Sequence, residues 1–193
     1  MRDTHSPVHF ALFPTALGDC GIAWRGDTVV ATRLPEERPA DAAGRLVART
    51  GAAQGEPPHA IRCAIASITA LLEEERTDLA FIACDFSGID PFADEVCAAT
   101  RAIPAGQMRT YGDFASQVGD KQLARKVGQA LGRNPFPIIV PCHRDIGANG
   151  RLTGFSPNGG VETKLRMLAI EGARMGEAPG LFDDLPVTVK PRR

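Results

Sequence analysis

Three short runs of β-forming residues lie close together near the N-terminus and restrict how the first half of the chain can fold. The runs cover residues 8–13, 20–25 and 28–33, and Gly-Asp pairs at 18–19 and 26–27 predict turns between them. The pattern predicts a small antiparallel meander.

Two helices and one further strand are predicted after the meander. Asp41 is a candidate N-cap for a short helix that ends at residue 49. Apolar residues at helical spacing predict another helix over 59–75, and the apolar run at 79–84 predicts a buried strand.

The composition changes at residues 87–91, where we place a domain boundary. Asp90 followed by Pro91 is typical of an N-cap and the first position of a helix, which we expect to run to about Ile103. The predicted fold class is α/β (α+β), with a small N-terminal antiparallel sheet and helices joined to a mainly helical C-terminal domain. The predicted divisions are a scaffold domain at 1–88, a second domain at 89–175 and a tail at 176–193.

The second domain contains two predicted helices, at 111–118 and 121–131, separated by a tight turn at 119–120. This is helix-turn-helix spacing, which is common and is weak evidence alone. The second helix and its flank add basic residues that could grip phosphates and small residues that allow close approach: Lys121, Arg125, Lys126 and Arg133, with Ala124 and Gly128. A basic amphipathic helix packed through Leu123, Val127 and Leu131 explains the same pattern, and both descriptions can hold at once.

Charge is unevenly distributed along the chain, although the net charge is only −1. Residues 1–100 hold 8 basic against 15 acidic side chains, whereas residues 101–166 hold 10 against 4. A basic segment beside an acidic one indicates an anionic partner for the basic segment. Taken alone, a chance unevenness of a solvated surface explains the distribution equally well.

Bulk features of the sequence exclude several classes of protein. No run approaches the roughly 18 consecutive apolar residues of a membrane span, and residues 1–14 lack a signal-peptide pattern. We therefore expect a cytoplasmic protein that binds no membrane. Five cysteines at irregular spacings do not indicate a disulfide framework. His5, His9 and Cys20 lack a convincing ligand spacing, so neither a metal site nor a cofactor is expected.

Cys142 differs from the other cysteines in its sequence neighbours. It precedes His143 and Arg144 and is followed by a glycine-rich loop at 147–160. The other four lie in apolar segments, where a cysteine is usually a small core residue: Cys20, Cys63, Cys84 and Cys97. Cys142 is therefore the candidate nucleophile.

A thiol is a useful nucleophile only as its thiolate, and His143 is the candidate base. Consecutive side chains of an extended segment point to opposite faces, so a bridging water or a turn at Pro141 is needed to connect the two groups. The imidazole also needs an orienting carboxylate. The last predicted helix, at 161–171, offers Glu171 at its end.

The segment NPFPIIVPCHR at 134–144 closely resembles the active-site signature of the O6-alkylguanine-DNA alkyltransferases, also called methylated-DNA–protein-cysteine methyltransferases. Further matches are IPAGQMRTYG at 103–112, ARKVG at 124–128, GFS at 154–156 and EG at 171–172. The resemblance is specific over residues 91–172 and identifies 89–175 as a catalytic DNA-binding alkyltransferase domain. The N-terminal part is similar only in its order of strands and helices.

The resemblance implies a DNA repair protein in which Cys142 accepts an alkyl group from the O6 atom of guanine, irreversibly and once per molecule. His143 would draw off the thiol proton through a water, and Glu171 would orient His143. Tyr111 would give a proton or hydrogen bond to the departing guanine. Asn134 would hold the turn and tie the helix-turn-helix to the active-site segment.

The resemblance also implies how DNA is held. Arg125 would enter the base stack and fill the space left by the flipped nucleotide. The DNA-binding set is completed by Ala124, Gly128, Lys121, Lys126 and Arg133, and the base pocket by Phe155, Ser156, Pro141 and Arg144. The expected partner is double-stranded DNA containing O6-alkylguanine, approached by a monomer through the minor groove, where little sequence can be read.

Several positions depart from the family pattern. Asp145 stands where an apolar residue is more usual, which places a negative charge near the thiolate and the DNA. Lys126 replaces a small residue, Cys97 a frequent tryptophan, and residues 157–158 lengthen the pocket loop. We expect these changes to affect rate and lesion range rather than the basic chemistry.

Three other functions compete with alkyl transfer. A lesion-flagging module of the same fold would carry tryptophan at the position of Cys142. A helix-turn-helix transcription regulator would need no thiol and would have an effector or dimerisation domain. A cysteine hydrolase would turn over esters or peptides rather than stop after one transfer.

Overall fold

A computed structural model describes residues 6–75, 77–117, 121–150, 152 and 160–173. The first three strands are β1 (His9–Phe13), β2 (Cys20–Arg25) and β3 (Thr28–Arg33), and they form the predicted antiparallel meander. A two-residue strand, β4 (Ala53–Gln54), pairs in parallel with β1, so the sheet order is β3-β2-β1-β4.

Two helices cover opposite faces of this sheet, so alternate residues of β2 pack against different helices. Helix α1 (Pro39–Thr50) packs Leu46 against Ala23, whereas helix α2 (His59–Leu72) packs on the side of Ile22. Gly21 permits the close approach of α1, since a Cβ there would lie 2.6 Å from a methyl group of Leu46. The mixed α/β class predicted from the sequence is confirmed.

The start of α1 was predicted three residues too late. Arg38, not Asp41, is the N-cap residue, and Pro39 occupies the first turn. Asp41 lies inside the helix and forms an exposed ion pair with Arg38 at 2.8 Å. Pro39 starts the helix because its fixed φ suits the first turn, where its missing N–H is not needed.

The strand predicted at residues 79–84 is wrong. The segment forms turns and makes one isolated parallel bridge between Cys84 and Val29 of β3. The carbonyl groups of Leu79, Ala80 and Ile82 all accept from Arg101, at 3.0 to 3.3 Å. Because the three carbonyls all turn toward one guanidinium group, the backbone of this segment does not continue as a β-strand.

The second half contains α3 (Pro91–Arg101), α4 (Tyr111–Gln117) and α5 (Ala124–Gly132), the last preceded by a 3₁₀ turn at Lys121–Leu123. Asp90 caps α3 as predicted, since its side chain accepts from the backbone N–H groups of Phe92 and Ala93. The helix ends two residues before the expected Ile103. Helices α4 and α5 pack together, while the turn predicted at 119–120 lies outside the described residues.

The remaining elements hold the active-site segment between the two halves. Strands β5 (Arg109–Thr110) and β6 (Asp145–Ile146) form a short parallel pair, and α6 (Gly160–Ile170) ends before Gly172, whose φ is 58°. Thr32 of β3 donates from its backbone and its hydroxyl to the carbonyls of Pro135 and Pro137. The main apolar cluster includes Ile68 of the first half and Phe136 of the second. The proposed domain division stays a prediction, but the two halves share one core.

Candidate active site

The segment at 134–144 turns back on itself instead of extending. The backbone N–H of Cys142 donates to the carbonyl of Val140, and that of Arg144 donates to the carbonyl of Pro141, each at 2.8 Å. Ile138 has a φ of 79°, an unfavourable conformation for a β-branched residue. The turn removes the expected alternation of side chains across an extended strand.

Asn134 holds this turn at both ends. Its Nδ2 donates to the carbonyl of Val140 at 3.0 Å, and its Oδ1 accepts from the backbone N–H of Phe136 at 2.9 Å. Asn134 also hydrogen-bonds the Cys142 thiol and acts to lower its pKa. One side chain thus stabilises a strained backbone and contacts the candidate nucleophile.

His143 is fully buried and is held by Glu171. Its Nε2 lies 2.8 Å from Oε1 of Glu171, and Arg144 donates from Nε and Nη2 to the two oxygens of the same carboxylate, also at 2.8 Å. Arg144 also donates to the carbonyl of Ile103. This arrangement fixes the plane of the imidazole against a carboxylate that is also paired with the Arg144 guanidinium.

The charge states of this group follow from its partners. Burial acts to raise the pKa of Glu171, but His143 and Arg144 lower it to about 2, so the group is a carboxylate. Burial lowers the pKa of His143, although Glu171 opposes this shift. A carboxylate only accepts, so Nε2 carries the hydrogen and the neutral ring presents a lone pair at Nδ1. Within the described residues, that buried Nδ1 has no hydrogen-bond partner.

Cys142 is 7% exposed and lies in an apolar cluster with Val96, Phe114, Val127 and Leu131. Burial raises the pKa of its thiol, whereas Asn134 and Lys164 act to lower it and Asp145 acts to raise it. Burial likewise raises the pKa of Cys97 to about 12 and that of Cys84 to about 11. A raised thiol pKa is therefore shared by these three cysteines and does not by itself distinguish Cys142.

Asp145 is completely buried and begins β6, three residues after Cys142. Its Oδ2 accepts from the hydroxyl of Thr100 at 2.9 Å, and its Oδ1 accepts from Arg109 at 3.4 Å. Burial raises its pKa, although Arg109, Thr100 and Lys164 oppose the shift. Side chains from α3 and β5 enclose its carboxylate, which is close enough to Cys142 to act on the pKa of the thiol, while its expected position near DNA stays a prediction.

Tyr111 stands at the start of α4, against the middle of α5. A Cβ on Gly128 would lie 3.9 Å from its ring, and Nζ of Lys164 is 5.9 Å from the ring centroid. Burial raises the pKa of Tyr111, with Asp145 and Cys142 adding to the shift. Its phenol keeps its proton at neutral pH and can act as a donor.

Comparison with known proteins decides the family. The sequence model described as "6-O-methylguanine DNA methyltransferase, DNA binding domain" matches residues 91–173. A methylated-DNA–protein-cysteine methyltransferase of Mycobacterium tuberculosis is 34% identical over 176 residues, covering 91% of this chain and 99% of the relative. This chain belongs to the methylated-DNA–protein-cysteine methyltransferase family.

Solved structures agree with this membership. The M. tuberculosis O6-methylguanine methyltransferase superposes with a TM-score of 0.70 at 34% identity, covering 89% of this chain and 95% of that one. The structure of M. tuberculosis OGT in complex with DNA gives the same score and identity over 85% and 92%. The resemblance and the fold class inferred from the sequence are thereby confirmed.

The predicted DNA-binding residues of this methyltransferase family member lie on and beside α5. Arg125, Lys126 and Arg133 are exposed, while Ala124 and Gly128 are half-buried. Val127 and Leu131 of the same helix are buried, so the predicted packing face and the predicted basic face coexist. The backbone of Lys121 lies in the 3₁₀ turn before α5.

The predicted base pocket is only partly described. Phe155 and Ser156, like residues 157–158 of the longer loop, lie outside the described residues. Pro141 and Arg144 line a cavity of about 480 Å³ together with residues 77–80 and 101–105, and Cys142 is not among its lining residues. The guanidinium of Arg144 is committed to Glu171, and its assignment to the base pocket stays a prediction.

Among the residues that sequence reasoning missed, Lys164 is the most important. It is fully buried on α6, and its Nζ donates to the backbone carbonyl of Asp145. The sequence did indicate its burial, because Lys164 stands three and four residues before Met167 and Leu168 and so shares the apolar face of the helix with them. Arg109 and Thr100 carried no comparable signal.

Within the part of the chain that the structure describes, no helix is long and apolar enough to cross a bilayer. The same residues contain no cluster of three or more histidine, cysteine or acidic side chains that could hold a metal ion.

Proposed function

We propose that this protein repairs DNA by transferring an alkyl group from the O6 atom of guanine to Cys142. One observation carries the proposal: Glu171 orients the neutral His143, which follows Cys142 in the sequence, and the buried Nδ1 has no hydrogen-bond partner among the described residues. A cysteine with such a base can act as a nucleophile even though its own pKa is raised.

The reaction balances as an in-line displacement. The thiol proton passes to Nδ1 of His143 through a bridging water, and the sulfur forms a bond to the alkyl carbon as the bond from that carbon to O6 breaks. The electron pair stays with guanine, and Tyr111 gives the departing base a proton or hydrogen bond. The thioether is stable, so each molecule reacts once.

The damaged guanine must leave the base stack, because a buried thiol cannot reach an O6 atom inside a duplex. In this proposal the exposed Arg125 fills the gap, and the small Ala124 and Gly128 let α5 approach the minor groove. The similarity to M. tuberculosis OGT, which was solved in complex with DNA, supports duplex DNA as the partner. We further propose that a monomer carries out the repair.

Methyl transfer can be tested with a duplex containing one O6-methylguanine and peptide mass spectrometry. The peptide with Cys142 should gain one methyl group, reaching one per protein molecule. Cys142→Ser should gain none, and Cys63→Ser, which changes a half-buried thiol on α2, should react normally.

Two outcomes would refute the proposal. Binding of the duplex without a mass change would indicate a lesion-flagging module. Methylation that continues beyond one group per molecule, or that survives in Cys142→Ser, would show that another residue is the acceptor.

A further inference from the structure

A cleft of about 400 Å³ lies between the two halves of the molecule, beside α5. Arg49 of α1 lines it together with Lys126, Gln129 and Arg133, which lie on α5 or at its end. All four side chains are exposed. Arg49 is thereby placed against the helix to which the sequence assigns DNA binding, although it belongs to the N-terminal domain.

The cleft has a net positive charge. Asp90 is the acidic residue among those that line it, and its carboxylate is engaged by the first N–H groups of α3. Lys126 is held in the cleft by the ring of Phe92, whose centroid is 4.2 Å from its Nζ. Three cations therefore face a space whose acidic group already has partners.

More positive charge lies behind Arg49. Burial lowers the pKa of Arg33, and repulsion from Arg49 and Arg45 lowers it further, with Glu36 opposing. Glu36 pairs with Arg45 at 3.1 Å. Arg33 and Arg49 are thus close enough to repel one another, and Arg33 adds to the positive potential around Arg49.

The cleft is continuous with the proposed DNA-binding face. Arg125 and Gln129 lie four residues apart on one side of α5, and Arg133 follows four residues later as the C-cap residue. Eight residues of helix extend about 12 Å, a distance of three to four base pairs in duplex DNA. A duplex engaged at Arg125 can thus bring its backbone to the cleft.

We propose that this cleft binds backbone phosphates of the DNA duplex, so that the N-terminal domain contacts DNA through Arg49. The inference rests on the proposed function and deepens it. It gives the N-terminal domain a binding role in addition to its part in the shared core.

Salt-dependent binding of undamaged duplex DNA tests this contact. Each phosphate contact contributes about 0.9 to the slope of log affinity against log salt concentration. Arg49→Gln should therefore reduce the slope by about 0.9, and Arg49→Gln/Arg133→Gln by roughly twice that. Arg62→Gln is the matched control, because Arg62 is an exposed arginine on α2, across the sheet from α1. The salt slope of Arg62→Gln should equal that of the wild type.

An unchanged slope for Arg49→Gln would overturn the proposal. So would an equal reduction in Arg62→Gln, since this would reflect total charge rather than a contact. Methyl transfer to wild-type Cys142 is measured in parallel on the lesion-containing duplex. Loss of that reaction would refute the proposed function, whereas the slope on undamaged DNA reports on the cleft.

Discussion

Two buried carboxylates belong to the candidate site, and their pKa values shift in opposite directions. Glu171 accepts three hydrogen bonds at 2.8 Å from His143 and Arg144, and its pKa falls to about 2. Asp145 receives one close hydrogen bond from Thr100 and longer contacts of 3.4 Å from Arg109, and its pKa rises. Burial acts in the same direction on both, so the distance and charge of the partners decide the difference.

The two carboxylates also act on Cys142 in opposite ways. In the proposed mechanism, Glu171 orients the base that removes the thiol proton, and so favours reaction. Asp145 acts to raise the pKa of the thiol, and so opposes the thiolate. Arg109 and Lys164 offset the charge of Asp145.

The largest effect is expected from Glu171→Gln. An amide keeps the shape of the side chain but lacks the charge that orients His143 and pairs with Arg144. Since general-base catalysis typically contributes 10²–10⁴-fold, methyl transfer should slow by about 10²-fold or more. Single-turnover transfer from a lesion-containing duplex measures the rate, and a circular dichroism spectrum like that of the wild type excludes unfolding. A rate within a few-fold of the wild type would remove Glu171 from the mechanism.

A smaller effect is expected on stability in acid. The folded-state pKa of Glu171 lies below its usual value of 4.5, so its stabilisation is complete above pH 4.5 and is lost as the pH falls toward 2. Between pH 7 and pH 3, the free energy of unfolding of the wild type should fall by about 2 kcal/mol more than that of Glu171→Gln. Urea unfolding at the two pH values tests this, and equal losses in both proteins would contradict it.

The smallest effects are expected at Arg109 and Asp145. Arg109→Gln leaves the Asp145 charge less compensated and should raise the pKa of the Cys142 thiol, whereas Asp145→Asn should lower it. One unit of pKa changes the thiolate fraction tenfold, so we expect changes of up to about tenfold in thiol alkylation by iodoacetamide. The Arg109→Gln/Asp145→Asn double variant should return close to the wild-type pH profile. If both single variants shift the pKa of the Cys142 thiol in the same direction, the pair acts through packing rather than charge.

Local patterns were sufficient to predict much of the fold. The meander, the cap at Asp90 and the packing of α5 through Val127 and Leu131 follow from turn residues, capping chemistry and helical spacing. The strand predicted at 79–84 failed because Arg101, about 20 residues away, binds its carbonyls. Neighbouring residues carry no information about such a partner.

The sequence by itself determined the family, and it singled out Cys142 as the candidate nucleophile and His143 as its candidate base. These depend on residues that are contiguous or regularly spaced, from Asn134 to Arg144. Only the tertiary structure decided that Nε2 of His143 faces Glu171, 28 residues away, and that Asp145 is enclosed by Thr100 and Arg109. The charge of a buried carboxylate depends on the groups that folding brings within hydrogen-bonding distance, and those groups come from separate elements of the chain.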